Sequence, residues 1–239
     1  MGRVYAVGVG PGSPRYITGA AEDAIRSCGI VAGYRYTMNT IRHLLEGKET
    51  HHITMADQED TYRRIRDTMG ERSLAVPFTG DVNFSESEVV DRLAELFGDV
   101  ELVPGISATQ VAASRSLMPL DKARVITMHV TGDIEGKKRR MAQALREGLG
   151  IILVPRPWPG RPDLNFMPRE ISTYLEGEGF DTGALPVRIY ENLTTPDERT
   201  YEGTAKEMAE REFSDMLVVV MGRSSPDSYM NYAWQWAKG

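Results

Sequence analysis

Three glycine-containing loops carry the residues of this 239-residue chain whose types and spacing are best suited to hold a ligand. They are Gly8-Val9-Gly10-Pro11-Gly12, Thr79-Gly80-Asp81-Val82 and Val103-Pro104-Gly105-Ile106-Ser107-Ala108. Glycine lets a ligand approach the backbone closely, and a carboxylate, a hydroxyl or the amides at a helix start can bond to its polar groups. Each loop also has a structural interpretation, namely a tight turn for the first, a turn cap for Asp81 and a helix cap for Ser107.

The first loop is similar to the fingerprint that binds dinucleotides, but its spacing differs. After Gly8 and Gly10, that fingerprint has a third glycine where this chain has Ser13. No acidic residue ends the second predicted strand, where ribose recognition would need one. Pro11 also removes a backbone donor at the place where a phosphate would be bound. The spacing therefore argues against a dinucleotide as the ligand.

The elements that position these loops alternate between strand and helix. Short, mostly apolar runs predict strands at residues 3–9, 30–33, 73–78 and 100–103, and a further strand is predicted at residues 49–54. Helical periodicity predicts helices at residues 16–27, 35–45, 57–69, 86–97 and 107–116. This alternation predicts an α/β fold with a mostly parallel sheet. Because parallel strands end at one edge of the sheet, the loops after the first, fourth and fifth strands are expected to converge on one cleft.

The second half of the chain continues the alternation with wider spacing. It predicts strands at residues 124–128, 150–154, 187–190 and 216–221, and helices at 137–147, 168–178 and 204–210. Three prolines in residues 156–162 exclude a helix or a central strand there. We therefore predict two α/β domains, an N-terminal one of residues 1–118 and a C-terminal one of residues 119–239.

Composition narrows the class of protein. Hydrophobic residues make up 41% and charged residues 26%, which is typical of a globular protein. The net charge of −6 argues against nucleic acid as a partner, since nucleic-acid binding depends on neutralising phosphates. The single cysteine, Cys28, excludes an internal disulfide and a Cys-based metal cluster, and no metal site is expected. The apolar runs are too short to span a membrane and no signal peptide is evident, so a cytoplasmic location is expected.

The combination of GxGPG, GD after the fourth strand and PGIS after the fifth resembles the tetrapyrrole (corrin/porphyrin) methylase family, over residues 4–222. The resemblance implies two α/β domains that hold S-adenosylmethionine (SAM) in the cleft between them, and a homodimer. Carried over residue by residue, it implies a set of cofactor contacts. These are Pro11, Gly80, Asp81, Phe84, Ser107, Ala108, Pro155 and Arg188.

Two further stretches resemble the C5-methylating enzymes of cobalamin biosynthesis within that family. Thr127-Met128-His129 is similar to their Ser-x-His-Gly-Arg, and residues 191–199 are similar to their Glu-x-Leu-Gly-x-Pro-x-Glu-Arg. This resemblance implies a SAM-dependent C-methyltransferase that acts at C5 of a precorrin or cobalt-precorrin. It also implies contact with a separate enzyme that methylates C15 and decarboxylates the same intermediate.

Methyl transfer to an electron-rich tetrapyrrole carbon needs positioning more than a strong base, and the sequence offers no catalytic triad. No catalytic residue is assigned. The acceptor carries many carboxylates, so an acidic protein needs local cations to bind it. Arg156 and Arg161, which flank the proline-rich stretch, are expected at the rim of the substrate site. His129 is expected to contact the substrate, or alternatively to be a hydrogen-bonded structural histidine.

Other functions remain open from the sequence alone. Other enzymes of the same family form diphthine or methylate ribosomal RNA. A non-catalytic nucleotide-binding α/β protein would use the same glycine-rich turn. The aromatic residues within 229–236 are expected to pack either on the body of the protein or on a dimer partner.

Overall fold

The computed structural model describes residues 2–85, 87–158 and 160–223. Contacts divide the chain into two compact units. The first is built from residues up to Val111 together with Glu191–Arg199, and the second from Ala112–Tyr190 together with the residues from Thr200 onward. The boundary after residue 118 stays a prediction, and the aromatic stretch 229–236 lies outside the described residues.

The first unit contains a five-stranded sheet in the order β3-β2-β4-β1-β5. Its strands are β1 (Val4–Gly8), β2 (Ile30–Tyr34), β3 (Glu49–Ile53), β4 (Leu74–Phe78) and β5 (Glu101–Val103). Its helices are α1 (Gly19–Ser27), α2 (Arg35–Thr40), α3 (Gln58–Thr68), α4 (Ser87–Phe97) and α5 (Ala108–Ser116), the last of which crosses into the second unit. All four strand pairings are parallel, which confirms the prediction for this half.

Both faces of this sheet are buried, as expected for a parallel sheet between helices. Along β1, Val4 and Ala6 belong to one hydrophobic cluster, whereas Tyr5 and Val7 belong to another. Since successive side chains of a strand point to opposite faces, the two clusters are the two sides of the sheet. This double burial explains why β1 is a continuous apolar run. The loop after Gly8 lies at the carboxyl ends of the strands.

The second unit contains a mixed sheet in the order β6-β7-β10-β8-β9. Its strands are β6 (Ala123–Thr127), β7 (Gly150–Val154), β8 (Pro186–Glu191), β9 (Arg199–Thr204) and β10 (Leu217–Met221), and its helices are α6 (Glu135–Arg146), α7 (Pro168–Gly177) and α8 (Ala205–Met208). β6 is parallel to β7, whereas β10 is antiparallel to it. Its core is one cluster that includes Met141, Ile151, Leu153 and Ile171.

Two helices of the first unit are shorter than predicted, and a local cap explains where the first of them begins. The helix predicted at 16–27 begins at Gly19, because the Thr18 hydroxyl accepts a hydrogen bond from the Ala21 amide at 3.2 Å and caps it. The helix predicted at 35–45 ends at Thr40, and a 3-10 turn, Arg42–Leu44, follows. β9 was not predicted. No helix in the described ranges is long and apolar enough to cross a bilayer.

Candidate functional site

The three glycine-containing loops meet at one edge of the first sheet, as the sequence predicted. β4, β1 and β5 are neighbours in that order, and each loop follows the carboxyl end of its strand. Gly10 and Gly80 form an antiparallel bridge, in which the Gly80 amide donates to the Gly10 carbonyl at 2.8 Å and the Gly10 amide donates back at 3.2 Å. The loop after β1 is thereby joined to the loop after β4.

Close backbone approach, not conformational freedom alone, requires the glycines at this point. A Cβ added at Gly105 would lie 2.6 Å from the carbonyl carbon and oxygen of Gly8, and closer still to the Gly80 oxygen. A Cβ at Gly8 would lie 2.6 Å from the Gly105 nitrogen. The main chains of all three loops are therefore in direct contact through Gly8, Gly80 and Gly105, which we call the glycine junction.

Asp81 ties two of these loops together with its carboxylate. One oxygen accepts a hydrogen bond from the Asn83 amide at 2.6 Å, and the other accepts from the Gly105 amide at 2.9 Å. The turn-cap interpretation is thus correct, and the same side chain also pins the junction across 24 residues. Hydrogen bonds to an ionised carboxylate are stronger than neutral ones, and the two oxygens retain lone pairs for a further donor.

Ser107 starts α5 and is buried. Its hydroxyl accepts from the Thr109 amide at 3.1 Å, while the Gln110 side chain accepts from the Ser107 amide at 2.7 Å. These two bonds satisfy amides at the start of α5 and confirm the predicted helix cap. Ala108, the first residue of α5, and Phe84, whose amide donates to the Asp81 carbonyl at 3.1 Å, are both half-buried beside these loops in the chain.

Pro11, which is buried, is held by a residue that the sequence did not single out for this position. The Tyr36 hydroxyl donates to the Pro11 carbonyl at 3.3 Å. Burial raises the pKa of Tyr36, so the phenol stays protonated and can donate. The loop is thereby anchored on one side by a helix, α2, that lies more than twenty residues further along the chain.

Residues 191–199 contact the same loop from within the first unit. The Thr194 hydroxyl accepts a hydrogen bond from the Ser13 amide at 3.0 Å. Thr194 has a φ of +73°, a region that β-branched residues rarely adopt, at a cost of about 1–3 kcal/mol. This backbone conformation suits the glycine that the similar family pattern has at this position. No periodic or turn signal in the sequence indicates a contact across 181 residues.

Pro155 and Arg156 begin the loop of residues 155–166 in the second unit, which we call the proline loop. Arg156 was expected at the rim of the substrate site. The residue is only 7% exposed, so it lies inside the loop, and its contact with the substrate stays a prediction. Its guanidinium donates to the Leu164 carbonyl at 2.6 Å and to the Gly132 carbonyl at 3.0 Å. Arg156 therefore closes the loop on itself and joins it to the loop after β6.

Arg161 and His129 remain accessible in the second unit. Arg161 forms a two-point ion pair with Asp163, at 3.0 and 2.8 Å, on the surface of the proline loop. His129 follows β6 and is partly exposed, and the protein packed around its ring desolvates the imidazole and lowers its pKa. The neutral imidazole can accept or donate a hydrogen bond at pH 7.

Arg188 lies on β8 and is half-buried. Its guanidinium bonds the Glu202 carboxylate on the neighbouring β9 at 3.0 Å, and that bond raises its pKa further. The side chain thus makes a cross-strand ion pair in the second sheet. The cofactor contacts implied for Arg188 and Pro155 stay predictions.

Comparisons with known proteins agree with this fold. The model of the family described as Tetrapyrrole (Corrin/Porphyrin) Methylases matches residues 3–209. A relative from Methanocaldococcus jannaschii, described as "Probable cobalt-precorrin-7 C(5)-methyltransferase", is 24% identical over 221 residues, which are 91% of this chain and 96% of its own. The crystal structure of the methyltransferase CobJ superposes with a TM-score of 0.73 at 22% identity, over 94% of this chain and 95% of that one. Uroporphyrin-III C-methyltransferase from Thermus thermophilus, solved with S-adenosylhomocysteine, has a TM-score of 0.68 at 20% identity over 94% of each chain.

Proposed function

Because the chain belongs to the tetrapyrrole (corrin/porphyrin) methylase family and is a SAM-dependent methyltransferase, we propose that it methylates C5 of a precorrin or cobalt-precorrin in cobalamin biosynthesis. The observation that carries the choice of C5 is the similarity to the Methanocaldococcus jannaschii relative, which extends over nearly the full length of both chains. The sequences at residues 127–129 and 191–199 support the same choice.

The glycine junction is the proposed binding site for the methyl donor in the first unit. Its place in the fold fits such a molecule, because the three loops follow the carboxyl ends of β4, β1 and β5, the edge at which open parallel sheets bind ligands. The proposed contacts are Pro11, Gly80, Asp81, Phe84, Ser107 and Ala108. In this assignment Asp81 orders the loops as well as facing the donor, since it already accepts from the Gly105 amide.

SAM supplies a methyl group that is already activated, because it is bonded to a positively charged sulfonium. The leaving group of the transfer is a neutral thioether. The chain's residues therefore have to hold donor and acceptor in line and close together, which can lower the barrier by a large amount. The displacement needs no general base, although the acceptor must lose or relocate a proton afterwards. We assign no residue to that proton; the lowered pKa of His129 keeps its ring neutral and able to hydrogen-bond the acceptor.

The acceptor's carboxylates require cations on a chain of net charge −6. Of the two arginines predicted for this role, Arg161 is the one whose guanidinium is exposed, and its pairing with Asp163 fixes its orientation on the proline loop. We assign Arg161 and His129 to the acceptor. Arg156 supports them by closing the loop.

The test is to incubate the protein with SAM carrying a ¹³C-labelled methyl group and with cobalt-precorrin-7 or its metal-free form. We expect mass spectrometry to show one added methyl group, and carbon NMR to place it at C5. A methyl group at another ring carbon would make the protein a different tetrapyrrole methylase. Labelling of ribosomal RNA or of a diphthine precursor protein, with none on the tetrapyrrole, would overturn the proposal.

The proposed active unit is a homodimer, in cytoplasmic solution, that passes its product to a separate C15-methylating and decarboxylating enzyme. This part rests on the family resemblance. Sedimentation velocity of the active protein tests it, and a fully active monomer would contradict it.

A further inference from the structure

Residues 191–199 form a small turn, here called the brace, that presses on the loop of residues 8–13 within the first unit. The Ser13 amide donates to the Thr194 hydroxyl at 3.0 Å. A Cβ added at Gly12 would lie 2.7 Å from the Thr195 methyl group and 2.8 Å from the Tyr36 hydroxyl. The loop is therefore held between α2 and the brace, with no room for a side chain at Gly12.

The brace is fixed by its own hydrogen bonds. The Thr194 amide donates to the Glu198 carboxylate at 2.6 Å. The hydroxyl and the amide of Thr195 donate to the Asn192 carbonyl at 2.8 and 3.0 Å. Asn192 and Thr194 both have positive φ angles, of 47° and 73°. The turn is thus a preformed support, not a segment that merely follows the loop.

Thr194 is an unfavourable residue for the backbone conformation it adopts. At a φ of +73° a glycine would be less strained, but it would have no hydroxyl to accept from Ser13. The threonine side chain is thus kept against the backbone preference. The Thr194 side chain provides the hydrogen bond to the loop that contains Pro11.

We propose that Thr194 is a positioning residue for the methyl donor, which it serves by fixing Ser13 and so the backbone of Gly12 and Pro11. This inference rests on the proposed placement of the donor against Pro11. Pro11 is anchored from one side by Tyr36, and the Thr194 hydroxyl anchors the chain two residues later. Without the hydroxyl the loop samples other positions. Binding of the methyl donor must then order the loop, and the entropy lost in doing so weakens the affinity.

Three variants separate the hydroxyl from the backbone strain. Thr194→Val keeps the shape and the strain but removes the hydroxyl, Thr194→Gly removes both, and Thr194→Ser keeps the hydroxyl. We expect Val and Gly to weaken S-adenosylhomocysteine binding about tenfold, as for loss of one hydrogen bond, and Ser to bind within about threefold of the parent protein. Titration calorimetry measures the binding, and urea unfolding measures the stability of each variant.

A residue with only a structural role would give binding losses that follow stability. Thr194→Gly is expected to be at least as stable as Thr194→Val, yet to bind the thioether product equally weakly. The proposal would be overturned if Thr194→Val bound S-adenosylhomocysteine with the affinity of the parent protein. It would also be overturned if Thr194→Ser bound as weakly as Thr194→Val. Because this assay uses no acceptor, a methyl group found on a carbon other than C5 would leave its result unchanged.

Discussion

The glycine junction and the proline loop follow strand ends in different units and are stabilised in opposite ways. In the junction, main chains touch directly, and the absence of side chains at Gly8 and Gly105 is what permits the contact. In the proline loop, side chains reach across to backbone carbonyls, as Arg156 does to Leu164 and Gly132. The junction is therefore destabilised when a side-chain atom is added to one of its glycines. The proline loop is destabilised when a side chain that donates hydrogen bonds is removed.

The difference has a functional meaning. A site made of main-chain contacts is rigid. Such rigidity suits the methyl donor, because the same molecule binds in every turnover. A loop held by one arginine and by the Asn165 side chain, which accepts from the Trp158 amide at 2.5 Å, can change its surface residues without losing its frame. This is the frame on which the proposed acceptor contact, Arg161, is carried.

The largest expected effect comes from adding a methyl group to the junction. Gly105→Ala places a Cβ against the backbone of both Gly8 and Gly80, which cannot rotate away as side chains do. We expect the free energy of unfolding to fall by about 3 kcal/mol or more, and donor binding to be lost. Gly177→Ala, where a Cβ meets nothing within 4 Å, is the matched control. Equal stability of the two variants would contradict the close packing of the junction.

A smaller loss of stability is expected when the arginine that donates hydrogen bonds within the proline loop is replaced. Arg156→Met leaves the Leu164 and Gly132 carbonyls without their hydrogen bonds, and should lower the free energy of unfolding by about 2 kcal/mol. Arg161→Met removes an exposed ion pair of the same loop and should change it by less than about 1 kcal/mol. Urea unfolding of both variants checks the order. A reversed order would mean that Arg156 faces solvent after all.

The smallest effect concerns pH. Desolvation lowers the pKa of His129 in the folded protein, so below an imidazole pKa of about 6.5 the unfolded chain binds the proton more readily. The contribution of His129 to stability is thus complete above that pH and decreases as the pH falls towards the lowered pKa. We expect His129→Gln to lose less stability than the parent protein between pH 7.5 and pH 5.5. Identical losses for His129→Gln and the parent would contradict the desolvation.

Much of the first unit was predictable because β1, β2 and β4 are short apolar runs with a glycine at or near their ends. They lie within about one residue of their predicted bounds, and the convergence of the loops after β1, β4 and β5 followed from parallel pairing. β9 was missed because Arg199–Thr204 is a polar, largely exposed segment at the sheet edge. Such a strand exists through its pairing with β8, which no local pattern encodes.

The site's supporting contacts were the part that the sequence could not predict. The roles of Tyr36 and Thr194 depend on side chains that meet the loop across 25 and 181 residues. The interior position of Arg156 depends on where the Gly132 carbonyl falls, 24 residues away. Residue types showed that these positions were capable of polar contacts. Only the fold decided which partner each one has.

The measurement that most directly tests the glycine junction as the donor site is made on Asp81→Asn. The substitution keeps the shape but removes the charge that accepts from the Gly105 and Asn83 amides. A charge-assisted hydrogen bond from the donor to this carboxylate is worth about 1.5–3 kcal/mol, so its loss should weaken S-adenosylhomocysteine binding about 10- to 150-fold, with turnover at saturating SAM reduced much less. Unchanged affinity with turnover reduced about a thousandfold would instead make Asp81 a catalytic base, and would contradict a reaction driven by positioning.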